Sequence, residues 1–299
     1  MAGNRWLKRH LPRLWITRRA VRRFMPGEDV ADALAAGAHY EMQGIVPLYT
    51  RLGENLTDAR EADETADHYL DALGRMAASG SRGELSVKLT QLGFEIDPGR
   101  AQGHLERLAG RSRELERDLW IDMEGSALVE PTIALYERLK AGHPNVGLCL
   151  QSYLHRTARD VQRLLPTDPR IRLVKGAYAE PASIAYQERS DVDANYVALA
   201  VVLLRAIADG RPVRLGLGTH DLRLVGLVAG HAAALGLPRS AFEVQMLYGI
   251  RADEQRRLVS EGYVVRDLIA YGPAWYAWYM RRLAERPANV LFALRQALP

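Results

Sequence analysis

The chain holds a single cysteine in 299 residues, Cys149, inside the apolar run Val146-Gly147-Leu148-Cys149-Leu150. One thiol can make neither an internal disulfide nor a metal site alone, which excludes a disulfide-stapled scaffold and fits a reducing compartment. It reads as a buried core thiol. Nowhere do eighteen or more apolar residues run uninterrupted, and no apolar stretch of signal-peptide length opens the chain. Acid is also missing at the start: residues 1–25 contain eight Arg or Lys, and the first carboxylate is Glu28. Between the cations stand Leu7, Leu11, Leu14, Trp15, Ile16, Val21 and Phe24. The stretch reads as a helix with its basic face in water; an anionic membrane surface or a mitochondrial leader would use the same pattern. No nucleic-acid-binding module accompanies the charge.

The rest is ordinary for a water-exposed globular protein, with 48% hydrophobic and 25% charged residues and a formal net charge of +4. A chain of this length buries enough surface to fold without covalent staples. Short apolar segments, as expected of buried parallel strands, fall at Gly44–Arg51, Leu85–Leu89, Leu119–Glu124, Val146–Gln151, Ile171–Lys175, Val213–Gly218, Phe242–Leu247 and Tyr263–Ala270. Helix-period stretches separate them at 62–79, 99–117, 130–142, 157–165, 192–209, 221–235 and 252–260. Eight strand–helix units predict an α/β protein of the (β/α)8 TIM-barrel type. A doubly wound open sheet gives the same alternation. However, Gly216-Leu217-Gly218-Thr219-His220 lacks the third glycine and the downstream acid of a dinucleotide fingerprint. The expected organisation is a helical extension over residues 1–40 and one barrel domain over 41–299.

Active sites of such barrels lie at the C-terminal strand ends. Those ends carry Glu54, Lys88, Asp122 with Glu124, Gln151 with Tyr153, and Arg172 with Lys175 and Tyr178. Thr219, His220 and Asp221 follow the sixth strand, Glu243 and Gln245 lie on the seventh, and Arg266, Asp267 and Tyr271 on the eighth. Charged groups within apolar strands are costly to bury unless paired or bound to something charged, so their convergence predicts a functional pocket. No metal site is expected: His220 has no second histidine at ligand spacing, and His231 falls in a separate helical stretch. No nucleophile elbow or Cys/His pair suggests acyl transfer. Abundant arginine points instead to an anionic cofactor or substrate.

After the eighth strand the chain reads Tyr271-Gly272-Pro273-Ala274-Trp275-Tyr276-Ala277-Trp278-Tyr279-Met280-Arg281-Arg282-Leu283-Ala284-Glu285-Arg286-Pro287. Pro273 suits a first helical turn and Pro287 a stop. Trp275, Trp278, Arg282 and Glu285 share one face, and Arg281 can reach Glu285 at i+4. Such a helix could fold over the barrel mouth, where paired guanidinium forks would hold a carboxylate.

This segment, from Tyr271-Gly272 to Arg281-Arg282-Leu283-Ala284-Glu285-Arg286-Pro287-Ala288-Asn289, resembles the C-terminal signature of the proline dehydrogenase family. The resemblance continues at Ser86-Val87-Lys88-Leu89, Asp122-Met123-Glu124, Gln151-Ser152-Tyr153 and Arg172-Leu173-Val174-Lys175-Gly176-Ala177-Tyr178. It recurs at Gly218-Thr219-His220-Asp221 and Phe242-Glu243-Val244-Gln245-Met246-Leu247-Tyr248-Gly249. It implies a short, single-activity flavoenzyme. FAD would lie across the strand ends against Gln151, Arg172, Lys175, Gly176, Ala177, Thr219, His220 and Gln245. It further implies that Arg281 and Arg282 grip the carboxylate of L-proline, with Lys88, Asp122, Tyr271, Leu247 and Glu285 around them and Glu54 as a gate. Where many members carry a tyrosine three residues before the first of the paired arginines, this chain has Trp278, followed by Tyr279. A quinone electron acceptor, a separate pyrroline-5-carboxylate dehydrogenase downstream, and a cytoplasmic location with peripheral membrane contact also follow from the resemblance. Another flavin barrel of the methylenetetrahydrofolate reductase type, or a flavin-binding sensor without turnover, would share part of this pattern.

Overall fold

The computed structural model describes residues 24–53 and 56–275. Eight parallel strands close in sequence order into a barrel. They are β1 (Val46–Arg51), β2 (Glu84–Val87), β3 (Leu119–Ile121), β4 (Val146–Gln151), β5 (Arg170–Val174), β6 (Arg214–Gly218), β7 (Glu243–Leu247) and β8 (Val264–Tyr271). Closure runs through β1 and β8 in a register from Val46 opposite Arg266 to Arg51 opposite Tyr271. All eight expected strands are present. The second and third stop early: after Val87 the chain turns into a short 3-10 segment at Thr90–Leu92. Glu124 there accepts from the Thr90 amide (3.1 Å) and hydroxyl (2.6 Å), drawing the loop after β3 toward the one after β2.

The helices are α1 (Val30–Glu41), α2 (Ala59–Ala78), α3 (Pro98–Glu114), α4 (Ser126–Gly142), α5 (Thr157–Leu164), α6 (Arg189–Ala208), α7 (Leu222–Ala234) and α8 (Ala252–Ser260). Several begin where an aspartate can satisfy orphan amides. Asp58 accepts from the Arg60 amide at 2.9 Å, Asp97 from that of Arg100 at 3.0 Å with Pro98 next, and Asp221 from that of Arg223 at 3.2 Å. No helix among the described residues is long and apolar enough to cross a membrane.

Helix α1 packs on β1 and β8 through Val30, Ala33 and Tyr40, and the boundary expected at residue 40 falls one residue before its end. Its Gly37 permits the close approach: a Cβ there would sit 1.9 Å from the Tyr49 hydroxyl. α1 thus covers the β8/β1 wall, the place a helix following β8 fills in a regular barrel. Beyond β8, Gly272 (φ +117°) turns the chain tightly against Leu52. Trp275 is buried, and its Nε1 donates to Glu28 at 3.0 Å. A helix that precedes a strand runs down the barrel wall, so Glu28, ahead of α1, marks the mouth end. The chain is therefore still at the mouth when it reaches Trp275.

Outside the barrel, Asp267 faces α8 instead of the mouth, accepting from Gln255 Nε2 at 2.6 Å. Burial pushes its carboxyl up to about 8. Because the folded value lies above the unfolded one near 3.8, this group's contribution to stability is fully present in acid and is lost as the pH rises from about 4 to 8. Asp267→Asn removes that slope. In urea titrations it is expected to match the parent at pH 4 and to be more stable at pH 9, by up to about 5 kcal/mol for the full span of the shift; equal pH slopes would contradict the assignment.

Candidate active site

Barrels of this type are usually filled by branched aliphatic side chains; here the interior is polar from the floor upward. On the floor, Arg214 bonds Glu84 (3.0 Å), Glu243 (2.9 Å) and Asp118, while Arg266 lies 3.2 Å from Glu84 and 2.8 Å from Glu243. Arg170 pairs with Asp118 at 2.8 Å. Among the described residues three cations face three carboxylates, so their charges balance. Burial raises the Glu243 carboxyl, but Arg266 and Arg214 outweigh it and hold it down to about 2. Removing one member of such a buried set costs about 3–5 kcal/mol, since the remaining charges lose their compensation. Trp120 lies in this layer, its Nε1 donating to Glu84 at 2.7 Å. Gly147 leaves it room, because a Cβ there would fall 2.6 Å from the indole.

One layer up is Arg172, 5% exposed. Its Nε donates to Gln245 Oε1 (2.7 Å), and its Nη1 to Asp122 Oδ1 (2.7 Å) and Ser86 Oγ (2.9 Å). Its guanidinium lies over the Trp120 ring at 4.8 Å. Lys88 Nζ approaches the other Asp122 oxygen at 3.8 Å. Two buried polar atoms here have no partner among the described residues, Arg172 Nη2 and Gln151 Oε1. A buried polar group left in this state costs about 1–3 kcal/mol, more when charged, so the pair reads as a donor and an acceptor kept for a ligand.

Above this layer opens a cavity of about 530 Å³ at the C-terminal ends of the strands. Lys88, Asp122, Gln151, Arg172, Lys175, Gly176, Ala177, Thr219, His220, Gln245 and Leu247 all line it, so the structure brings these sequence-selected residues into one place. Lys175 Nζ is fixed by Asp193 (2.6 Å) and Asp221 (3.1 Å). Burial raises the Asp221 carboxyl, but Lys175, Arg223 and Arg189 hold it below the usual range. After β5, Gly176 (φ +127°) takes a conformation that side chains resist and passes Tyr153 closely, which swings Ala177 and Tyr178 onto the cavity wall. Cys149 also lines it, its thiol pushed up to about 12 by burial and therefore unreactive.

Tyr271, expected beside the substrate, is not among the lining residues. Leu268 faces the cavity, and three residues along a strand is an odd step, which turns Tyr271 to the outer face. Its hydroxyl meets His68 Nε2 of α2 at 3.0 Å, and burial raises it well above its ordinary range. Glu54, Trp278, Arg281, Arg282 and Glu285 lie outside the described residues. Sequence reasoning missed Arg189 and Arg251, two further cations on the lining. Arg251 had a signal only in three dimensions, a left-handed backbone (φ 54°) ahead of α8.

A closed parallel barrel with a cationic, partly unsatisfied cavity at its strand ends defines a barrel enzyme that takes an anionic ligand. The sequence profile of the proline dehydrogenase family matches residues 33–295, and the chain belongs to that family. It is 32% identical over 282 residues to proline dehydrogenase 1 of Bacillus subtilis, covering 94% of this chain and 92% of that protein. It is 37% identical over 281 residues to the proline dehydrogenase of Deinococcus radiodurans, covering 92% of this chain and 89% of that one. The fold is shared with proline utilization A from Bdellovibrio bacteriovorus at TM-score 0.83 and 22% identity, across 90% of this chain but 33% of that larger one.

Proposed function

We propose that this protein oxidises L-proline to Δ1-pyrroline-5-carboxylate with FAD as the bound acceptor, and that a quinone reoxidises the flavin. The observation that carries this reading is Arg172, a buried guanidinium with its Nε and Nη1 edges and one face occupied by protein and Nη2 left without an acceptor among the described residues. The lining fits a dinucleotide: among the described residues, five cationic side chains, Lys88, Arg172, Lys175, Arg189 and Arg251, stand against two carboxylates, Asp122 and Asp221. Gln151 Oε1 and Arg172 Nη2 supply an acceptor and a donor for ring atoms, while Lys175, Gly176, Ala177, Thr219 and His220 border the space for the remainder.

Proline oxidation removes a hydride from the ring carbon beside nitrogen and a proton from nitrogen, leaving a C=N bond. FAD, when bound, supplies the two-electron acceptor. Arg172 places fixed positive charge where negative charge accumulates, in a site where it need not reorganise. Asp122, held between Lys88 and Arg172, keeps both cations oriented. Leu48, Leu247 and Leu268 give the pocket apolar walls that exclude water. Arg281 and Arg282 would hold the proline carboxylate, with Trp278 and Glu285 as further candidates for the same site, and Tyr271 would act from the outer face by fixing the end of β8 through His68. A separate pyrroline-5-carboxylate dehydrogenase would consume the product. The basic residues 1–25 would serve peripheral contact with the membrane that carries the quinone.

An anaerobic absorbance spectrum before and after adding L-proline tests this. A bound flavin that bleaches on proline is expected. A flavin bleached by NADPH and not by proline would favour a reductase, one that neither reduces would favour a sensor, and a protein that cannot take up FAD would refute the reading.

A further inference from the structure

We propose that Gln245 and Glu243 are positioning residues for Arg172: Glu243 fixes which way the Gln245 amide points, and Gln245 thereby fixes which edge of the guanidinium is offered to the flavin. This rests on the reading above and revises one part of it, because Gln245 then works through Arg172 and not as a direct flavin contact. Both polar atoms of Gln245 are committed within the protein. Its Nε2 donates to Glu243 Oε2 at 2.9 Å, and its Oε1 accepts from Arg172 Nε at 2.7 Å.

The direction of this relay is set by chemistry. Glu243 is kept ionised by Arg266 and Arg214, which donate to it at 2.8 and 2.9 Å, so it can only accept. The amide must turn its NH2 toward Glu243 and its oxygen toward Arg172, which can only donate. A flipped amide would face donor to donor at one end and acceptor to acceptor at the other. The space for the amide is provided by Gly216, where a Cβ would fall 2.4 Å from Gln245 Nε2. Arg172 is then fixed at Nε by Gln245, at Nη1 by Asp122 and Ser86, and on its face by Trp120. Trp120 is itself backed by Arg214 at 4.9 Å, so ring and guanidinium rest on the ion-paired floor. Among the described residues, that leaves Nη2 as the edge of the guanidinium without a protein partner.

The test uses the full-length, FAD-loaded protein and its variants Gln245→Met and Gln245→Glu, reading the flavin midpoint potential together with kcat and KM for proline. Gln245→Met is close in volume and leaves the floor ion pairs intact, but it withdraws the acceptor from Arg172 Nε. Preference for reduced over oxidised flavin is expected to fall about tenfold, a potential about 30 mV more negative for a two-electron couple. Gln245→Glu adds a carboxylate beside Arg172 and shifts the potential further in the same direction. In both, kcat falls while proline KM stays within about twofold, because the proposed function assigns the carboxylate to Arg281 and Arg282 and not to this relay. Should Gln245→Glu not fold, Gln245→Met decides alone. Potentials equal to wild type, whatever the melting temperatures do, overturn the relay while the proposed activity stands. A wild-type flavin that proline does not reduce overturns both.

Discussion

Arg172→Met is expected to lower kcat/KM for proline by about 10²–10³-fold, the usual cost of removing one preorganised donor from a site of developing charge. The effect is large because the residue cannot be replaced by its neighbours. Lys88 is the nearest other cation to Asp122, at 3.8 Å, and it carries a point charge in place of a planar fork. Without Arg172, Asp122 keeps Lys88 and Ser86 as side-chain partners among the described residues, so negative charge is added to the site at the moment the reaction also generates it. Arg172→Lys separates charge from geometry: it restores a cation but cannot reach Gln245 and Asp122 while also offering Nη2. Partial recovery, well short of wild type, is expected. Stopped-flow reduction of the flavin by proline checks both variants, and a reduction rate within threefold of wild type for Arg172→Met would contradict the role assigned to it.

The second large effect is expected at the other end of the substrate. Arg281→Ala and Arg282→Ala should each raise the proline KM by about 30- to 10³-fold, the range for losing one half of a charge-assisted pairing with the substrate. The bound flavin and its spectrum should be unchanged. The physical case begins with the wall helix α1, which covers β8 and β1. Gly272 turns the segment after β8, and the Trp275–Glu28 hydrogen bond holds it at the mouth end, six residues before Arg281. An unchanged KM in both variants, measured by steady-state kinetics with an artificial electron acceptor, would place the carboxylate elsewhere.

Why the strands were legible and their partners were not is itself physical. Parallel strands buried on both faces read as short apolar runs, and all eight stood out. Their ends also carried polar residues such as Lys88, and Glu243 and Gln245 stand two apart along β7, the period of residues facing the interior. Those positions marked side chains of the site but could not say which would meet. The pairing of Arg172 with Gln245 spans 73 residues, and that of Arg214 with Glu84 spans 130. Such contacts depend on barrel closure and register. Tyr271 illustrates the converse. Its place at a strand end made it a candidate, but the parity of its position, which only the true register of β8 fixes, sends it outward to His68. Trp120 gave no functional signal, because a tryptophan in an apolar strand reads as core until the glycine opposite it, Gly147, is seen to make room.

The neutral ionic floor has a thermal consequence. The hydration that Arg214, Arg266, Glu84, Asp118 and Glu243 forgo on burial becomes less favourable to charged groups as temperature rises. The hydrophobic gain per unit area, by contrast, levels off on heating. A barrel plugged with leucine and valine would draw no such benefit from warming. In this protein the innermost layer costs least when the molecule is hot, so the ground on which Arg172 stands gains on heating relative to an apolar plug.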